Sequence, residues 1–234
     1  MNQINSVSSI KKYLPLILLG VGVIVLVLVF LVIKNKKSNV VVEEDTDTIV
    51  VVPFSQRPVA NLTPTSDGHY INLKIEKITL PKVASLDYEL LYELPDGRTQ
   101  GVPGTVDLNG QTVFERKLLL GSESSGKFRY DDGVTGGSLT IRLRGSNGKL
   151  LAKFSTKWHL QSSDSELTSI DQNFTYKLDK KPKGIYFVTM ETFGLMDSSV
   201  ASVASGPYGV FSSDTLPAGT AEGWKVASGN IFYK

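Results

Sequence analysis

Two histidines, His69 and His159, are the only imidazoles in the 234-residue chain, and ninety residues separate them. A zinc site gathers three or four ligands at defined spacings, and neither histidine has a second one nearby. The chain has no cysteine, which removes thiolate nucleophiles, cysteine metal sites, lipid attachment through cysteine and disulfides together. Serine hydrolysis would show G-x-S-x-G or S-x-x-K around the nucleophile. Ser122-Glu123-Ser124-Ser125 and Ser212-Ser213 are loop serines without that context. No glycine-rich loop of the phosphate-cradling kind is present.

Carboxylates are the remaining chemical candidates: Glu89 with Glu93, Asp131-Asp132, and Glu191. On a strand Glu89 and Glu93 share a face about 13 Å apart at ~3.3 Å per residue. Glycoside cleavage uses ~5–9.5 Å, so this pair reads as a solvent-facing decoration. Asp131-Asp132-Gly133 has the composition of a turn and lacks the alternating oxygens and terminal glutamate of a calcium loop. No catalytic residue, metal site or cofactor is expected, and the chain reads as a non-enzyme. The competing reading is an envelope glycan-active enzyme or peptidase working through Glu191, or through His159 with nearby serines.

Aromatic side chains supply the other lead. Tyr208, Phe211, Trp224, Phe232 and Tyr233 crowd the final thirty residues among Pro207, Gly209 and Gly223. Exposed rings on a β platform stack on sugars and anchor protein partners. Tyr208, Phe211, Trp224 and Tyr233 are therefore the candidate binding residues. The competing reading places these rings in the core of a small β unit.

What positions such residues is a chain with a period of two. Ile71, Leu73 and Ile75 alternate with polar neighbours, and Leu86–Leu94 repeats the pattern up to the turn Pro95-Asp96-Gly97. Asn109-Gly110 ahead of Phe114–Leu120 signals a hairpin. Ser138–Arg144, then Gly145-Ser146-Asn147-Gly148, then Lys149–Trp158 is the clearest strand–turn–strand unit. Further strands are expected at Asn173–Leu178, Gly184–Phe193, Tyr208–Phe211 and Trp224–Tyr233. No long amphipathic helix interrupts them. The expected class is all-β, an immunoglobulin-like or jelly-roll sandwich built as one large or two small units. The sandwich is placed at 67–160, with 161–234 either a second β-rich region or the completion of the first.

The other strong pattern lies upstream. Leu14–Ile33 is twenty residues without a charge, amide or hydroxyl. As a helix it spans roughly 30 Å, the hydrocarbon thickness of a bilayer. It is too long for a signal-peptide core and lacks a small-residue cleavage site, so it reads as an uncleaved anchor. The expected organisation is a cytoplasmic tail at 1–12, a transmembrane helix at 13–33 in contact with the lipid bilayer, and a proline-containing stalk at 34–66. Lysines flank both ends of the span, so the positive-inside count is nearly balanced. The twelve-residue tail and the acidic cluster Glu43, Glu44, Asp45, Asp47 favour an extracytoplasmic C-terminal part. Of 25 basic and 23 acidic side chains, six and four precede Pro58, which leaves nineteen of each in the remainder. A neutral domain has no basic face for nucleic acid. The expected function is a single-pass plasma-membrane protein of the cell envelope, with a non-enzymatic binding, adhesion or structural role toward envelope proteins or glycans. An accessory subunit of a larger membrane complex is the further alternative.

Overall fold

The computed structural model describes residues 51–234. The expected tail, the membrane helix at 13–33 and the first part of the stalk lie outside the described residues. Among the described residues no helix is long and apolar enough to cross a membrane. Apart from one 3-10 turn at Phe54–Gln56, every element is a β-strand. The sheets are open, consistent with a β-sandwich.

One layer is a three-stranded sheet of β1 (Val59–Pro64), β2 (Tyr70–Glu76) and β5 (Phe114–Leu119), with β2 in the middle. The other layer is built on β3 (Val83–Glu93), β4 (Thr99–Asp107), β8 (Gly136–Gly145) and β9 (Leu150–Ser162). It continues through β12 (Tyr186–Glu191), β13 (Tyr208–Ser212), β15 (Lys225–Ser228) and β16 (Ile231–Tyr233). The resulting eight-stranded order is β15-β16-β13-β12-β9-β8-β3-β4, antiparallel at every pairing. The second half of the chain therefore extends the sheet begun by the first.

The alternation read from the sequence buries the aliphatic core. Leu62 of β1, Ile71, Leu73 and Ile75 of β2, Leu86 and Leu90 of β3, and Leu139 and Ile141 of β8 are fully buried between the layers. Asn147-Gly148 closes the β8–β9 hairpin, with Gly148 at φ +78° and Gly145 N–H donating to the Lys149 carbonyl at 2.9 Å. That positive φ is what a tight hairpin requires of glycine. Asn109-Gly110 is also a turn with positive φ at both residues. It joins β4 in the large sheet to β5 in the small one, so it is a crossover between layers and not the expected hairpin. Turn chemistry fixes a reversal of the chain but not which strand pairs across it.

Residues 59–64, read from sequence as the end of the stalk, form β1. Val59, Ala60 and Leu62 are fully buried there, in register with Glu76, Ile75 and Leu73. Proline density suggested a linker. Yet Pro58 precedes the strand and Pro64 is its last residue, on the edge of the sheet where a missing N–H costs no ladder bond.

On the opposite face of the large sheet sits a small cap of β10 (Glu166–Thr168), β11 (Thr175–Leu178) and β14 (Gly219–Thr220). It covers β12, β13 and β16, enclosing Leu167, Phe174, Tyr176, Phe187, Tyr208, Val210 and Phe232. The faces alternate along each strand: Phe187 meets the cap, whereas Val188 and Met190 face the aliphatic core. A hairpin of β6 (Gly121–Ser124) and β7 (Lys127–Tyr130) stands apart, paired only with itself.

Candidate functional site

The cap covers only part of the sheet's outer face. Beyond it β3, β8 and β9 present a bare polar surface, because their inward positions are taken by leucine, isoleucine and tryptophan and the alternate positions must point out. Arg144 Nε donates to Asp87 Oδ2 at 2.6 Å, Arg142 lies 3.8 Å from Glu89, and the Thr140 and Ser155 hydroxyls share a bond of 3.0 Å. At the step where the cap ends, two adjoining hollows of about 350 and about 480 Å³ open. They share Ser138, Lys157 and Ile170 and form one trough. Ser155, Ser169, Asp171, Glu191 and Tyr208 line one end; Leu91, Glu93, Thr99 and His159 line the other. Its floor includes Gly137, where a Cβ would collide with the backbone carbonyl of Leu91.

Asp171 sits in the turn between β10 and β11, and local sequence explains its conformation. In Ser169-x-Asp171-x-Asn173 the carboxylate accepts from the Ser169 hydroxyl, from the Asn173 N–H at 3.2 Å and from the Asn173 side-chain amide at 3.0 Å. Such side-chain-to-backbone bonds two residues on define an Asx turn. A fourth donor arrives from across the cap: Tyr208 O–H reaches Asp171 Oδ2 at 2.6 Å. Partial burial pushes the Asp171 pKa up, but the bonds from Ser169, Tyr208 and Asn173 outweigh it and hold the carboxyl below the usual range. Burial, followed by the bond to Asp171, raises the Tyr208 phenol above its ordinary value.

Glu191 has the opposite environment. It ends β12, and among the described residues no hydrogen bond or ion pair engages its carboxyl. Burial is the main cause raising its pKa, the Asp171 charge adds to this, and Arg57 opposes it. The two carboxyls of the trough are thus driven apart, one lowered and saturated with donors, the other half-buried and raised.

The remaining sequence candidates are dispersed. His159 Nδ1 lies 2.7 Å from the Thr168 carbonyl, so that nitrogen carries the proton. His69 stacks on Tyr130 at 3.9 Å beside Asp67. Asp131 accepts from the Tyr92 hydroxyl at 2.9 Å. Among the described residues, no three His, Asp or Glu side chains gather as a metal site.

Of the aromatic candidates, Tyr208 is 5% exposed and stacks on Phe174 at 5.2 Å, with only its hydroxyl directed to the trough rim. Phe211, also 5% exposed, faces the aliphatic core from the other side of the sheet. Trp224 meets Phe174 and Tyr208 edge-on at 5.0 and 5.5 Å and carries Lys234 Nζ 4.6 Å above its ring. Tyr233 is partly exposed beneath Lys225. Tyr208 and Trp224 come together; Phe211 and Tyr233 do not join them. Asp171 and Lys157 carry no catalytic motif; the S-x-D-x-N pattern was the one available signal for the former.

No protein-family model, no curated protein and no solved structure matches the chain.

Proposed function

We propose that this chain is a single-pass, plasma-membrane-anchored protein of the cell envelope whose extracytoplasmic β domain binds a hydroxyl-rich ligand, an envelope glycan, without turning it over. The anchor is the apolar run at 13–33. For the domain itself, the order β1-β2-β5 against β9-β8-β3-β4 follows the A-B-E and G-F-C-C′ order of immunoglobulin-like sandwiches and favours that arrangement over a jelly roll. The trough offers serine hydroxyls, an ammonium and a carboxyl around the methyl groups of Ile170, a mixture suited to a polyol with apolar ring faces.

The observation that carries the binding reading is the saturation of Asp171. Four donors hold both of its oxygens, so Glu191 has no free carboxylate beside it to act as nucleophile or base. The full chain in lipid nanodiscs, titrated calorimetrically with soluble hexose and amino-sugar oligosaccharides, is expected to bind at least one with unit stoichiometry. Ile170→Asp should abolish that binding. Absence of binding across the panel, or binding indifferent to Ile170→Asp, would overturn the reading. Release of new reducing ends that stops in Glu191→Gln would replace it with the hydrolase alternative. Protection of the β domain from protease added to intact cells would reverse the topology.

A further inference from the structure

The large sheet forks between β9 and β12. Their ladder runs from Tyr186–Ser162 to Met190–Trp158 and stops. From there β12 leaves: Thr192 N–H donates to the Pro207 carbonyl, the Thr192 carbonyl accepts from Ala60, and Phe193 turns with φ +69°. On its other side β9 remains paired with β8 down to Leu150. Leu160 N–H donates toward β8, to the Thr135 carbonyl, and successive backbone groups of a strand alternate. The N–H and C=O groups of Lys153 and Ser155 and the N–H of Lys157 therefore point into the fork, where no strand among the described residues meets them; the Lys157 carbonyl already accepts from the Thr156 hydroxyl at 3.2 Å. A groove of about 290 Å³ lies along this edge, lined by Ala152–Ser155, Glu191, Phe193, Arg57 and Val51, the last 83% exposed.

Cations outnumber carboxyls at this edge, where Glu191 is the acidic side chain lining the groove. Lys153 and Lys157 are exposed on the same face, about 13 Å apart at ~3.3 Å per residue. Neither has an ion-pair partner among the described residues. Arg57 adds a third cation on the opposite wall. Lysines on an open edge repel a second copy of the same edge, and they admit a strand of opposite charge.

We propose that the free edge of β9 from Lys153 to Lys157 accepts an extended acidic segment of a partner protein as an added strand. Backbone bonds to Lys153, Ser155 and Lys157 supply register, and acidic side chains four residues apart on the guest meet the two lysines. This surface adjoins the trough and shares Ser155, Lys157 and Glu191 with it, but its recognition is by backbone, and Lys153 and Arg57 do not line the trough.

The probe is a fluorescent peptide of alternating valine and polar residues with aspartates at positions i and i+4, added to the full chain in nanodiscs. Anisotropy should show saturable, salt-sensitive binding, weakened at least tenfold by Lys153→Glu and abolished when the guest's alternate amides are N-methylated. Amide exchange at Lys153, Ser155 and Lys157 should slow on binding, while Ala152, Phe154 and Thr156, already directed at β8, stay unchanged. Equal binding of a peptide with lysine in place of aspartate would overturn the proposal, as would binding without those protections. So would protection in the chain without peptide, which assigns the edge to the chain itself, or protection that grows with chain concentration alone, which assigns it to a second copy. Oligosaccharide binding in Lys153→Glu should match the parent chain, which separates failure here from failure of the trough reading.

Discussion

The two cores on either side of the large sheet are made of different material. Between the layers lies an interior dominated by leucine and isoleucine, with Tyr88, Tyr92, Phe114 and Trp158 among them, drawn mainly from β1, β2, β3, β8 and β9. Under the cap lies a cluster of rings, in which Phe174 contacts Tyr208, Trp224 and Phe232 at 5.0–5.5 Å. The aliphatic core is secured by long ladders, nine register pairs between β3 and β8 alone. The cap is held by ladders of two or three pairs and by the Asp171 hub. Short ladders and few covering residues mark the part of a protein that opens at low cost. The trough lies against the cap, so the binding surface borrows one wall from a stiff sheet and the other from the more loosely held element.

Phe174→Ala gives the largest expected effect and the sharpest test of that contrast. Phe174 is 1% exposed at the centre of the ring cluster, and its loss should cost about 3–5 kcal/mol. Amide exchange should accelerate across β10 and β11 while Leu139–Leu143 of β8 remain protected. If both regions accelerate together, the two cores are one cooperative unit and the comparison fails.

Asp171→Ala comes next, at about 1–3 kcal/mol, since it strands the Tyr208 hydroxyl and the turn donors. The pH dependence has a definite sign. A carboxyl with a depressed native pKa adds stability above its unfolded value, and that stability is lost as pH falls through the native one. The parent should therefore lose more stability than the variant between about pH 5 and pH 2, read by thermal unfolding. Equal acid limbs would remove Asp171 as the fastening of the cap.

Glu191→Gln should have the smallest effect and the opposite direction. Its raised native pKa makes the ionised form costly, so stability declines as pH rises from the usual carboxylate range through the native value. Melting curves should show a gain of about half a kcal/mol at pH 7 and none at pH 4. A loss at pH 7 would mean that Glu191 is engaged by a partner in the full chain.

The aliphatic core was legible because its signal is local. Ile71, Leu73 and Ile75, or Leu139, Ile141 and Leu143, state their burial by alternation within one strand. Proline density points the other way at residues 59–64, where Pro58 and Pro64 suggest a linker although Ala60 and Leu62 are core. The cap is less legible: the strand expected at Asn173–Leu178 is β11, but β10 and β14 are three and two residues long, too short for a period to show. The site was the least legible of all. Asp171 and Tyr208 are thirty-seven residues apart and meet only through the packing of the cap on β13.

The chain has two tryptophans, and the fold gives one to each core. Trp158 is fully buried in the aliphatic interior, with no acceptor for its indole N–H among the described residues. Trp224 stands at the rim of the ring cluster beneath an ammonium. The first indole sits in a hydrocarbon solvent and the second in a wet, charged one, so their emission maxima should differ. The protein carries a two-colour optical gauge that needs no label. As denaturant rises, the order in which the blue and red components shift gives the order in which the two cores admit water.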